Sequence, residues 1–452
     1  MKKINNCRAC GSSALTPAFS LDGMINAQRA GRKPRPLDFV LCDATKDAFA
    51  CGLLQSGKIE RRALIEETPS AAYRSTRSHL RSIATEALEI VSGRDCSALD
   101  IGCNDGTLLS FYPRWVDRYG VDTNDIVENV GGWAWTAKAP FPSAELDKAF
   151  GEKSFDIITA VSVLEKIEEP RAFFARMKSL LASDGVIVIE TLYAAMALAR
   201  TGVDAFASGA QSVYSLGVLE RIARDCDLKI FRGALTDKEG GSIRLYLTHA
   251  NVTEYDFDPW FERLARLWDE ENALALREIQ SYQAFENRAE AARDEFTSML
   301  ADIEARGETV HLLSAGPQAV ALFRWAGEYG RVITAAIDEQ PSEGAYLCDH
   351  GPIVISETDC RAAEPDYVIA PAPLKREMLE RWREAIVLGA KMIVASPTPH
   401  IIDANNYSSE FGKALAGGDN PGEVETLRAI LTAAGGPRLI AVGGTAAKAA
   451  SS

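Results

Sequence analysis

Four short apolar runs between residues 97 and 190, SALDI, RYGVD, FDIITAV and GVIVIE, alternate with segments of helical spacing. Runs separated this widely cannot pair as tight hairpins. They predict a parallel-type sheet with helices between its strands, an α/β fold. A second alternation of the same kind follows in TVHLLSAG, VITAAID, DYVIAP and MIVASP, residues 309–397. Between the two halves, residues 260–306 are charged and helical in pattern, with Leu264, Leu267, Leu274 and Leu276 among the apolar positions. This stretch reads better as a linker helix packed on its own domains than as a dimerisation helix. Residues 72–93 form a further helical pattern with Gly93 as its C-cap, 216–226 another, and 243–250 a strand.

A net charge of −14 argues against a nucleic-acid-binding face and against an anionic membrane surface. No apolar run reaches the roughly 18 residues of a spanning helix. The start, MKKINNCRAC, is basic but lacks an apolar core, so no signal peptide is read and a cytoplasmic location is expected. In a reducing compartment the nine cysteines default to small buried hydrophobes or metal ligands. Cys96, Cys226, Cys348 and Cys360 have no useful spacing and read as structural.

The stretch ALDIGCNDGTLL, residues 98–109, reads as strand, turn, helix. Gly102 and Gly106 let the backbone approach a ligand closely. Asp100, Asn104 and Asp105 crowd the turn with acid and amide, where a pyrophosphate site would want G-x-G-x-x-G. Twenty residues after Gly102 stands Asp122, at the end of RYGVD, where nucleotide-binding folds keep an acid for the ribose hydroxyls. Ala160, Val161 and Ser162 end the next strand. Together these segments fit S-adenosylmethionine better than NAD(P): the acids suit a cationic donor and would repel a phosphate.

Several stretches in order then resemble the sugar C-methyltransferases that act on nucleotide-linked deoxysugars: Cys7-x-x-Cys10, CGLLQ at 51–55, YRSTRSH at 73–79, DIGCNDGTLL, ITAVSVLEKI, SDGVIVIETLY, VYSLGVLERI, GGSIRLYL and IDEQPSEGAYL. The resemblance implies an N-terminal zinc module (1–65), a class I, Rossmann-like methyltransferase domain (66–255), a helical linker (256–306), a C-terminal α/β domain that helps hold the substrate (307–436) and a frayed tail (437–452). Zn²⁺ would sit on Cys7, Cys10, Cys42 and Cys51. The last two are eight residues apart where such families usually have two, yet four thiolates still close a tetrahedral site.

The chain departs from that pattern where chemistry is expected. C-methylation of a keto sugar needs a base for the proton α to the carbonyl. The resemblance places a Tyr-His-Glu-His stretch before Val213-Tyr214-Ser215-Leu216, but here Phe206–Ser212 holds neither histidine nor glutamate. A third histidine of the family is Lys166. A lysine facing a pyrophosphate is Gln318. Of the five histidines only His79, near Tyr73, could approach the site; His249, His311 and His350 read as structural. Tyr73, Tyr214 and Lys166 remain as catalytic candidates, a tyrosine serving as base only with a depressed pKa. Glu165 is a solvated neighbour or a participant. Glu190, Tyr193, Gly241 (beside Gly240) and Arg244 are substrate-side candidates. The expected function is therefore an S-adenosylmethionine-dependent methyltransferase of a small molecule, with an acceptor altered from the family's. A nucleotide-sugar C-methyltransferase with a replacement base, or a degenerate cofactor-binding partner protein, are the alternatives. Monomer and homodimer stay equally open.

Overall fold

The computed structural model describes residues 2–21, 36–59, 69–91, 96–151, 153–206, 209–348 and 350–414. Gly93 and the tail at 437–452 lie outside them.

The central sheet has seven strands in the order Leu228–Thr236, Ser242–His249, Leu181–Leu192, Phe155–Val161, Ser97–Ile101, Asp117–Asp122 and Trp135–Lys138. Ser242–His249 runs antiparallel to both its neighbours, and the pairings among the remaining strands are parallel. The inner strands read as unbroken apolar runs because both faces are covered. Ile157, Ile158 and Val186–Ile189 are essentially inaccessible. The chain begins in the middle of the sheet and reverses direction between Ser97–Ile101 and Phe155–Val161. Such a switch point opens a crevice beyond the carboxyl ends of the strands.

The C-terminal half builds a second sheet of the same kind, ordered Ile353–Ile355, Ile333–Ile337, Val310–Leu312, Tyr367–Ala370, Lys391–Val394 and an antiparallel edge, His400–Ile402. Both predicted alternations thus fold into parallel-type sheets with helices between strands.

The N-terminal segment is fused to the body. Its strands Leu15–Leu21, Leu37–Cys42 and Leu54–Ser56 are extended by Ser212–Val213 from the central region, Val213 pairing with Leu54. Phe19, Phe39, Phe206 and Phe285 bring rings from three parts of the chain within 5.0–5.3 Å. The charged stretch at 260–306 forms two helices, Asp258–Ala273 and Ile279–Arg306, broken where Ala275 takes a φ of +49°. Leu264 and Leu267 of the first lie against Leu228–Thr236, where a Cβ on Gly233 would meet Leu264 at 2.8 Å. The second buries Tyr282 and Phe285 toward the N-terminal sheet and stacks Phe296 on Trp325. Leu264 and Leu267 of the first helix and Tyr282, Phe285 and Phe296 of the second are thus buried within the chain, while Phe261 of the first is exposed.

Candidate active site

Gly102 leaves its strand with φ +78°, and a Cβ there would fall 2.3 Å from Val163 Cγ2. Backbone alone fits this turn. Asn104 follows at φ +50°; its N–H donates to Asp122 Oδ2 at 2.9 Å, and its Oδ1 accepts from Ser70 N. Asp122 also accepts from Asn124 N on Oδ1, so the backbone fixes the carboxylate at the strand end. Asp105 accepts from Thr107 N and Ala71 N and shapes the turn, with Gly106 at φ +75° behind it.

Asp100 is buried, and the Thr159 hydroxyl donates to its Oδ1 at 2.6 Å. Burial pushes its carboxyl up to about 7; the Thr159 bond opposes this, and the neighbouring Asp122 charge adds to it. Two carboxylates at this end of the crevice fit a cationic or hydroxyl-bearing ligand there better than an anionic one, while Lys166 and Arg381 line other parts of the same cleft. S-adenosylmethionine meets this: its ribose hydroxyls suit Asp122, and its ammonium and sulfonium suit the field of Asp100. When bound it supplies an electrophilic methyl group.

The crevice is one wall of a cleft of about 830 Å³. Tyr73, Thr76 and Leu80 of the helix Arg74–Ile90 and its approach form a second side, together with Val161, Ser162 and Lys166. The far wall belongs to the C-terminal half: Ser314, Gly316, Asp338 and Glu339 follow strands of its sheet, and Arg381 and Trp382 lie on the helix Arg376–Leu388. Tyr73 bridges the two halves, its hydroxyl donating to Asp338 Oδ2 at 3.2 Å. Asp338 ends VITAAID just as Asp122 ends RYGVD. The same signal of an acid closing a strand marks it in the sequence, but it was not among the expected residues.

The structure thus brings Tyr73, Lys166, Asp100, Gly102, Asn104, Asp122, Val161 and Ser162 to one cleft; Asp105, Gly106 and Ala160 are not in its lining and adjoin residues that are. Other candidates lie elsewhere. Tyr214 is fully buried with its hydroxyl on the Leu164 carbonyl at 3.3 Å. Tyr193 donates to Glu271, which also accepts from Leu216 N and Gly217 N and so caps the helix Leu216–Asp225. Gly241 packs on Met196, where a Cβ would sit at 2.6 Å. Glu190 and Arg244 are buried partners of one another, Nε to Oε2 at 2.8 Å, with Glu86 on the far side of the guanidinium. Arg244 is therefore neither a surface pair nor an anion clamp. Gln318 lies against Gly240 and Asp204 in a small neighbouring cavity, not on the cleft. Glu165 is buried and accepts from Thr191 rather than forming a solvated helix start.

A tyrosine base is also disfavoured chemically. Burial and the Asp338 charge raise the Tyr73 hydroxyl above its ordinary range, and burial raises Tyr214 further. Each holds its proton.

The four N-terminal cysteines converge. The sulfurs of Cys7, Cys10, Cys42 and Cys51 all lie within 4.8 Å of one another; Cys7–Cys51 are 3.6 Å apart and Cys10–Cys42 3.5 Å. Tetrahedral thiolates on zinc at about 2.3 Å would be about 3.8 Å apart. Cys51 N–H donates to Cys42 Sγ at 3.4 Å. The widened loop between them is held by Asp43, accepting from Thr16 and Thr45, and by Asp47, accepting from Ser12 and Phe49 N. The extra residues are folded aside and leave the sulfurs together.

No helix among the described residues is long and apolar enough to cross a membrane. A search of curated proteins gives no match. Among solved structures, an S-adenosylmethionine-dependent methyltransferase from Clostridium acetobutylicum matches at 12% identity over 40% of this chain and 94% of that chain, TM-score 0.31. A magnesium protoporphyrin IX methyltransferase from Synechocystis matches at 15% over 39% and 80%, TM-score 0.30. A methyltransferase from Streptomyces caelestis matches at 14% over 41% and 100%, TM-score 0.32. Residues 61–232 match the family model of a methyltransferase domain, and residues 237–397 that of the C-methyltransferase C-terminal domain. The chain is a methyltransferase with a Rossmann-like domain and a C-methyltransferase C-terminal domain.

Proposed function

We propose that the protein methylates a carbon of a small acceptor held between the cofactor turn and the C-terminal sheet, and that this acceptor differs from the nucleotide-linked deoxysugar of the families it resembles. The observation that carries the reading is the single cleft: one wall has the two donor-facing carboxylates, the opposite wall belongs to the C-methyltransferase C-terminal domain. Some hundreds of Å³ suffice for a small ligand, so about 830 Å³ has room for donor and acceptor side by side. The altered acceptor follows from Phe206–Ser212, which lacks the expected histidines and glutamate. A nucleotide-linked keto sugar is the second reading, favoured by Asp338, an acid placed at a strand end to meet a ribose diol. The test supplies tritium-methyl donor with a small-molecule extract of producing cells in one arm, and a thymidine diphosphate-linked 4-keto-deoxysugar in the other. Labelling in the extract alone supports the first reading; labelling of the nucleotide sugar supports the second. Label in neither arm overturns both.

Donor binding should depend on pH through Asp100. The donor's positive groups favour the ionised carboxylate, so its binding expels a proton whenever Asp100 is protonated. With a carboxyl at about 7, calorimetry should show donor affinity about eightfold weaker at pH 6 than at pH 7.5. Asp100→Asn should flatten that dependence. A wild-type affinity unchanged across the window would remove Asp100 from the site.

We also propose that Cys7, Cys10, Cys42 and Cys51 hold one structural zinc. Plasma mass spectrometry should find about one zinc per purified chain, and Cys42→Ser should lose it and unfold at lower temperature. A metal-free wild type of undiminished stability would instead make the four thiols ordinary core residues.

A further inference from the structure

Carbon becomes nucleophilic only after losing a proton, so a C-methyltransferase needs a base that reaches its acceptor. Neither Tyr73 nor Tyr214 has a hydroxyl prone to ionise. One histidine stands beside the cleft. His79 lies on the helix Arg74–Ile90, three residues after Thr76 and one before Leu80, both of which line it. Residues three apart share a helix face. The His79 side chain is 16% exposed, so the ring is sheltered without being sealed off; it adjoins the lining of the cleft and is not itself part of it.

Its Nε2 lies 2.5 Å from Glu190 Oε1. Among the described residues, Nδ1 has no hydrogen-bond partner. Glu190 is fully buried; burial alone would raise its carboxyl, but His79 and Arg244 outweigh this and hold it down at about 2. It is a permanent negative charge beside the imidazole. The strand that carries it borders the cleft, since Ser162 N–H donates to the Glu190 carbonyl at 2.9 Å and Ser162 lines the cavity. A carboxylate on one ring nitrogen fixes the tautomer and leaves the other nitrogen's lone pair free to take a proton. The remaining histidines have other places: His249 faces the Leu181 and Ala182 carbonyls, His311 is buried on Cys360, His400 faces the Thr398 carbonyl and Glu410, and His350 is exposed.

We propose that His79, oriented by Glu190, is the base that removes the proton from the acceptor carbon. This rests on the carbon-acceptor reading above. Nδ1 takes the proton from the carbon next to a carbonyl, and the C–H electron pair passes into an enolate. The enolate carbon bonds to the donor methyl as the S–CH₃ bond breaks, its electron pair staying on sulfur to leave S-adenosylhomocysteine. The proton remains on the imidazolium, balanced by Glu190, until it is released to water. The sequence resemblance expects the base just before Val213-Tyr214; here the function would lie on the helix Arg74–Ile90 instead.

The test uses the full chain, tritium-methyl donor, and the same extract and thymidine diphosphate-linked 4-keto-deoxysugar. His79→Ala should transfer label at least about 100-fold more slowly, with donor affinity by calorimetry within about twofold of wild type. Added imidazole should restore its rate about tenfold, a rescue that a merely structural histidine would not permit. His79→Gln, which keeps a donor toward Glu190 and so protects the fold, should be as slow as His79→Ala. Transfer by either variant within about threefold of wild type, absence of imidazole rescue, or loss of donor binding by both variants overturns the assignment. A wild type that binds donor but labels neither probe overturns the acceptor reading, and this assignment with it.

Discussion

Gly102→Ala should weaken donor binding by at least about 100-fold in calorimetry while the chain remains folded. Two costs add at this position. The backbone sits at φ +78°, where an L side chain is strained by about 1 kcal/mol. The new methyl would also lie 2.3 Å from Val163 Cγ2, a branched side chain with little freedom, so the turn or Val163 must move. Val163 itself lines the cleft, so relief of the clash comes at the expense of the space the donor needs. Together these amount to about 3 kcal/mol, or about 100-fold in affinity. Gly132→Ala is the matched control: a Cβ there meets nothing within 4 Å. If Gly102→Ala bound donor within threefold of wild type, the turn would not be the donor's seat.

Glu190→Ala should cost about 3–5 kcal/mol of stability in denaturant unfolding. Arg244 is completely buried and relies on Glu190 at 2.8 Å; Glu86 remains as a partner at 3.3 Å, through a different nitrogen. Removing one member leaves a buried guanidinium under-compensated, which is more harmful than never having had the pair. The acid side of the stability profile should show the same group. Glu190 is held from its ordinary 4.5 down to about 2, so the ionised form is favoured by folding. Its contribution, on the order of 3 kcal/mol, is complete above pH 4.5 and is lost as pH falls through 2. Glu304→Ala, which breaks an exposed pair with Arg331, should leave the unfolding midpoint nearly unchanged, because solvent screens that pair. Equal small losses in both variants would show that the buried network adds little.

Much of the architecture was legible from residues alone. The runs SALDI, FDIITAV and GVIVIE are strands because long apolar stretches bounded by turns bury both faces, and that signal is local. The acid closing RYGVD and the glycine after SALDI could be assigned for the same reason, since each sits at a fixed offset from a strand end. Tyr214, Tyr193, Glu190 and Arg244 have buried partners that no short stretch shows, because nothing local distinguishes a polar side chain at a cleft from one satisfied in the core. Tyr193 is answered by Glu271, 78 residues away, and Arg244 by Glu190 and Glu86, 54 and 158 residues away. Asp338 carried a readable signal but gained meaning only when the second sheet closed over the first.

The sequence by itself determined the two α/β halves, the carboxylates at the strand ends and the four cysteines, because periodicity, turn chemistry and ligand type are properties of short stretches. Tertiary structure alone decided which wall of the cleft each group faces, that the eight-residue gap before Cys51 still lets four sulfurs meet, and that His79 rests on Glu190 across 111 residues of chain. Those outcomes depend on contacts between distant segments, whose free energies no local pattern encodes.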